Sequence, residues 1–130
     1  MAGDQRGVSL SAFFAVVVLA LLLVAGLVVD GGAQAVAARR AELVASAAAR
    51  AAADETAAAR LAGRTPDAGA VIAAARRVLD EGEVDGDVRL VGGRVHVDTR
   101  TGADTVLLSL VGITRLEAKG SAEADLVSNR

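Results

Sequence analysis

Few side chains in this 130-residue sequence have the types and spacing that chemistry needs. His96 is the only histidine, and with Asp98 and Ser109 it supplies the residue types of a nucleophilic triad. His96 and Asp98 fall on one face of a predicted strand, but nothing in the sequence brings Ser109 to them. A lone strand histidine opposite an arginine reads as a solvated surface residue. Asp80, Glu81, Glu83, Asp85 and Asp87 form an acidic run. Their spacing is not that of an EF-hand, so a solvated loop is the plainer reading than a calcium site. Neither Gly31-Gly32, inside a helical pattern, nor Gly92-Gly93, between two strands, has the strand-loop-helix setting of a phosphate loop. Cysteine is absent, which excludes disulfides and thiolate metal sites. The sequence thus points to no catalytic residue, no metal, no cofactor and no small-molecule substrate, and the expectation is a non-enzymatic protein.

The elements around these residues carry more information. Between Arg6 and Asp30 there is no charge, and the run from Gly7 to Val29 is almost wholly apolar. As a helix, its ~23 residues would be roughly 34 Å long, against a hydrocarbon core of roughly 30 Å. A soluble helix of that length would show a polar face, whereas here only Ser9 and Ser11 are polar, both at the start. A secretory signal has a shorter apolar region. The expectation is a retained transmembrane helix over 7–29, ending at Gly7 on one side and at Val29-Asp30 on the other, after a tail of residues 1–6. The Ala33-Gln34-Ala35 triplet has the form signal peptidase accepts. The alternative is therefore a small secreted binding domain released after Ala35.

Beyond Asp30 the helical pattern continues through the weak point Gly31-Gly32 into an alanine-rich stalk spanning 30–64. Ala37, Ala41, Ala45, Ala48, Ala52 and Ala59 recur at helical spacing. Either alanine is simply abundant in this chain, or the stripe is a helix-packing seam centred on Ala41, Ala45, Ala48 and Ala52, within the chain or between copies. After Gly63-Arg64, "TPDAGAVIAAARRVLDE" predicts a second helix, with Thr65 as N-cap and Pro66 in its first position. Its apolar stripe is Val71, Ile72, Ala75, Val78 and Leu79.

The C-terminal part predicts strands. A two-residue turn at Gly92-Gly93 pairs Val91 with Arg94, Leu90 with Val95 and Val88 with Val97. "TVLLSLVGIT" is a buried strand or a short helix, which periodicity alone does not decide. "RLEAKGSAEADL" alternates as a half-buried strand. Residues 65–130 are therefore an α+β domain in which an amphipathic helix covers a small antiparallel sheet. The net charge of -2 gives no basis for a nucleic-acid partner, and with only Phe13 and Phe14 aromatic there is no stacking platform for bases.

Arg6-Gly7, the apolar run with Gly26, Asp30-Gly31 at its outer end, Arg39-Arg40 and the alanines from Ala45 onward occur in a telling order. So does the ending, a V-x-V strand at Val95–Val97 leading through a glycine-containing segment to an alternating alanine strand. In this order the chain resembles the TadE/TadG-like Flp (tight adherence) pilus-assembly proteins, which are pilin-like. The long von Willebrand-type region of larger TadG-like proteins has no room here. The resemblance implies a bacterial single-pass protein of the cell membrane with a cytoplasmic tail and an extracytoplasmic C-terminal domain. It implies a minor pilin or assembly adaptor working in cell adhesion or secretion. Its partners would be the lipid bilayer, other pilus or secretion-system subunits and possible copies of itself. It also implies possible processing between Gly7 and Val8. The family's glutamate at the fifth position after that glycine is here Ala12, so the expectation is that most of the protein stays uncut.

Overall fold

The computed structural model describes residues 4–126, with the backbone alone for 4–6. Half of the predicted tail, residues 1–3, lies outside the described residues. The first element is one unbroken helix, α1, Asp4–Leu61, of 58 residues. At 1.5 Å per residue it is a rod of about 87 Å. It contains no proline, since the chain's single proline is Pro66. Gly31 and Gly32 cost roughly 1 kcal/mol each relative to alanine, yet the helix passes through them. The predicted transmembrane helix and alanine stalk are thus one element. It stops where Gly63 takes a left-handed backbone (φ 69°). The Arg64 N–H then returns to the Ala59 carbonyl at 2.9 Å, closing the helix end.

The second helix, α2, spans Ala68–Glu81. Its start corrects the sequence reading: the N-cap is Asp67, not Thr65, and Pro66 lies outside the helix. Asp67 is extended, and its carboxylate accepts the Ala70 N–H at 2.9 Å. A carboxylate satisfies a free helix N–H and complements the positive helix end better than a hydroxyl does. Val71, Ala75 and Leu79 are buried, with Ile72 and Val78 packed beside them.

Three antiparallel strands follow: β1 Asp85–Val91, β2 Arg94–Asp104 and β3 Arg115–Asp125, in the order β1-β2-β3. The first hairpin has the predicted register: Val91 opposes Arg94, Leu90 opposes Val95 and Val88 opposes Val97. Gly92 and Gly93 both have positive φ (59° and 78°), which the tight turn requires. The undecided segment before β3 forms a short 3-10 turn, Leu108–Val111. The architecture is α+β: a long apolar helix, a second helix and a small antiparallel sheet.

Both helices cover the same face of the sheet. α1 packs on β2 and β3, and α2 on β1. The core consists of Ala45, Ala48, Ala49 and Ala52 from α1, the α2 stripe, and Val88, Val95 and Val97. Alanine on the helix replaces deep interdigitation with close approach. That approach is tightest at Gly120, where a Cβ would stand 2.5 Å from the Ala41 carbonyl carbon. Beside it the buried Thr99 hydroxyl donates to the Ala41 carbonyl at 2.8 Å, with the Gly120 carbonyl 3.1 Å away.

Candidate functional site

One stripe of α1 faces the domain. Starting inside the apolar run, one line along this stripe is Gly26, Asp30, Gln34, Ala37, Ala41, Ala45, Ala48, Ala52, Thr56 and Ala59, all buried or half-buried, with Val44 and Ala49 packed beside it. The spacing of three and four residues places them along one side of the rod. Every member is small or makes a hydrogen bond. Gln34 donates to the Glu117 carbonyl at 3.0 Å, and Thr56 donates to the Ala52 carbonyl within the helix. The seam residues Ala41, Ala45, Ala48 and Ala52 are fully buried within the chain. Of the two readings the sequence left open, the structure shows the internal one. These alanines touch the chain's own sheet and α2 and leave no surface for a second copy.

The N-terminal end of the stripe holds the loop between β2 and β3. Asp30 is 1% exposed. Its carboxylate accepts three consecutive backbone N–H groups, from Val106 at 2.8 Å, Leu107 at 3.1 Å and Leu108 at 2.7 Å. The hydrogen bonds from Val106 and Leu108 hold its carboxyl below its usual value of 3.8, against the opposing effect of burial. One helical turn earlier, Gly26 makes room for Leu107: a Cβ there would lie 2.9 Å from the Leu107 Cβ. Gly26 and Asp30 therefore form a socket on α1 that receives the loop.

Below the socket none of the described residues covers α1. From Gly7 to Val29 every residue except Gly26 is exposed, including Phe13, Phe14, Leu21, Leu22 and Leu27. Among the described residues this is the one helix long and apolar enough to cross a membrane. Its predicted ends differ in kind, since a Cβ added at Gly7 would meet none of the described residues whereas Asp30 is buried under the loop. Val8, across the possible processing bond, is exposed within the helix.

The residues first considered for chemistry are dispersed. The His96 Nδ1 lies 2.8 Å from Glu123 on β3, and Asp98 pairs with Arg89 on β1. Ser109 sits on the β2–β3 loop, donating to the Val106 carbonyl. On the outer face of the sheet, Arg94 pairs with Asp125, Arg100 with Asp87 and Arg115 with Asp104. These exposed pairs are each worth about 0–1 kcal/mol. In the acidic run, Asp87 and Glu83 have arginine partners, the latter Arg40, which also donates to the Gly82 carbonyl at 2.8 Å. Among the described residues no three histidine or acidic side chains converge on a metal position.

Sequence reasoning missed the socket. It took Asp30 as the end of the apolar run, Gly26 as one residue of that run and Gln34 as part of a cleavage triplet. A signal was there: the three residues lie four apart, on one helix ridge. Compared with known proteins, the chain matches no family model, no curated protein and no solved structure.

Proposed function

We propose that the chain is a single-pass, membrane-anchored, non-enzymatic subunit with its C-terminal domain outside the cell. It serves as a minor pilin or assembly adaptor of a Flp-like pilus. One observation carries the anchor: a single rigid helix offers one half bare and apolar and the other half clamped to a folded domain. The bare half suits lipid, because a helix satisfies its own backbone groups there. The pilus assignment rests on the order of sequence features that resembles the TadE/TadG-like proteins, and the continuous rod fits a subunit that carries its domain directly on its anchor.

The secreted alternative fares worse. Cleavage after Ala35 would remove Gly26, Asp30 and Gln34. The Val106, Leu107 and Leu108 N–H groups would lose their acceptor, and Glu117 would lose a contact. Retention keeps the socket intact.

The test is the intact mass of the protein purified from its native membrane, with protease added to spheroplasts. The expected mass retains residues 2–6, and protease is expected to digest the domain from outside. A protein beginning at Val36 would sink the anchor. One beginning at Val8 would show processing without the glutamate. Protection of the domain would reverse the topology. Deleting the gene is expected to abolish or thin the surface fibres, and unchanged fibres would remove the pilus role while leaving the anchor standing.

A further inference from the structure

The β2–β3 loop has an unusual composition for an exposed connection. From Thr105 to Ile113 it reads TVLLSLVGI, with no charged residue. Four of its large apolar side chains are turned outward: Val106, Leu110, Val111 and Ile113, with Leu110 82% exposed. Isolated exposed apolar residues need no explanation, but a contiguous cluster does.

Its place in the fold says what covers it. Leu107 rests on Gly26, and Asp30 grips the three N–H groups of residues 106–108. The loop is therefore held level with the last turn of the apolar run. Gly26 lies about 6 Å below Asp30 along the helix axis, comparable to the depth of roughly 5–10 Å at which interfacial segments sit. Charged side chains resume on both sides, at Asp104 and Arg115.

The backbone is prepared for the same environment. Irregular chain is tolerated at membrane depth only where its polar groups find partners. Asp30 takes three of the loop's N–H groups. Thr105 N–H donates to the Thr114 carbonyl, Leu110 to Leu107, Gly112 to Ser109 and Ile113 to Leu108. Both hydroxyls are also turned inward: Thr105 donates to the Ile113 carbonyl and Ser109 to the Val106 carbonyl. At membrane depth such closure is required, because no water is there to satisfy the same groups.

We propose that the Val106–Ile113 loop is a second membrane contact, inserting Leu110 and Val111 into the boundary between headgroups and acyl chains beside α1. It fixes the domain's tilt and rotation on the bilayer, which a lone helix would leave free. This rests on α1 being the anchor, and the experiment separates the two.

The chain has no cysteine, so single substitutions carry a probe cleanly. Leu110→Cys, with Val111→Cys as a second loop position, would be labelled with a nitroxide in the full chain and reconstituted in phosphatidylcholine–phosphatidylglycerol vesicles. Val91→Cys, an exposed apolar site at the opposite end of the sheet, is the aqueous control, and Ala20→Cys the mid-anchor control. Relaxation by a water-soluble nickel chelate is expected to be several-fold weaker at Leu110 and Val111 than at Val91. Relaxation by oxygen, which concentrates in lipid, is expected to be several-fold stronger. Both loop positions as accessible to nickel as Val91, with Ala20 buried in lipid, would overturn the loop contact and leave the anchor standing. Ala20 accessible to nickel would overturn both. Loop shielding that vanishes as protein is diluted with lipid would assign the patch to another copy of the chain and overturn the bilayer as its occupant.

Discussion

The two halves of α1 are built from the same backbone and meet opposite fates. Between Val8 and Val29 the large side chains are all exposed and only Gly26 is buried; between Ala41 and Ala59 the buried ones are small. On the first stretch the described residues approach the helix only at Gly26, where Leu107 rests. Where one stripe is reduced to alanine, a β-sheet comes to within backbone contact, as Ala41 and Gly120 show. Apolar character alone therefore does not mark the surface that a folded domain will cover. Size does, because the gain at a close-packed seam comes from many short contacts that one large side chain would hold apart.

The sharpest way to break this comparison is Gly120→Val. The added side chain meets the backbone of Ala41 and Glu42, which has no rotamer to change. We expect a loss of about 3 kcal/mol or more, toward the upper end of overpacking costs, read as thermal unfolding of the domain in detergent micelles. A stability within error of wild type would mean that the sheet can slide along the helix.

The same substitution in both halves sharpens the contrast. Ala45→Leu should cost about 1–3 kcal/mol by overpacking the seam. Ala20→Leu, on the exposed half, should change domain stability by less than about 0.5 kcal/mol. Equal effects would erase the distinction between the halves. Thr99→Val follows in size. It keeps the shape and removes the hydroxyl that bonds the Ala41 carbonyl, so about 1 kcal/mol should be lost.

The smallest expected effect concerns pH at the point where the two halves meet. Asp30 is held below 3.8 by hydrogen bonds from Val106 and Leu108. A carboxylate with a lowered value contributes fully above 3.8 and loses that contribution as pH falls through the folded value beneath it. The amide resonances of Val106 and Leu108 should therefore stay constant from about pH 8 to pH 5 and shift only below 3.8. A midpoint above 3.8 would show that burial outweighs the three hydrogen bonds.

Much of this was written in local pattern. The Gly92-Gly93 hairpin register followed from alternation, because a period of two allows one pairing that puts Val88, Leu90, Val95 and Val97 on one face. β3 was legible for the same reason, and the α2 stripe from the helical period of 3.6 residues. The cap at Asp67 was misread by two residues, since Thr65, Pro66 and Asp67 all carry start signals and only backbone geometry chooses among them. The socket was illegible as a site. Its partners, Asp30 and Leu108, are 78 residues apart and meet only because β2 runs back along α1.

By itself the sequence determined the helix and where its surroundings change: no proline before residue 66, no charge between Arg6 and Asp30, then alanine at every third or fourth position. These are properties of neighbouring residues, and helix formation and burial respond to them locally. Only the tertiary structure decided what the alanine stripe touches and what Asp30 does. A stripe of small residues fits any closely approaching backbone, so its partner is chosen by the rest of the fold. Here that choice went to Thr99 and Gly120 of the chain's own sheet. A carboxylate at the end of an apolar run can face water or fold inward. It folded inward because β2 and β3 deliver three free N–H groups to it at the level of the last apolar turn.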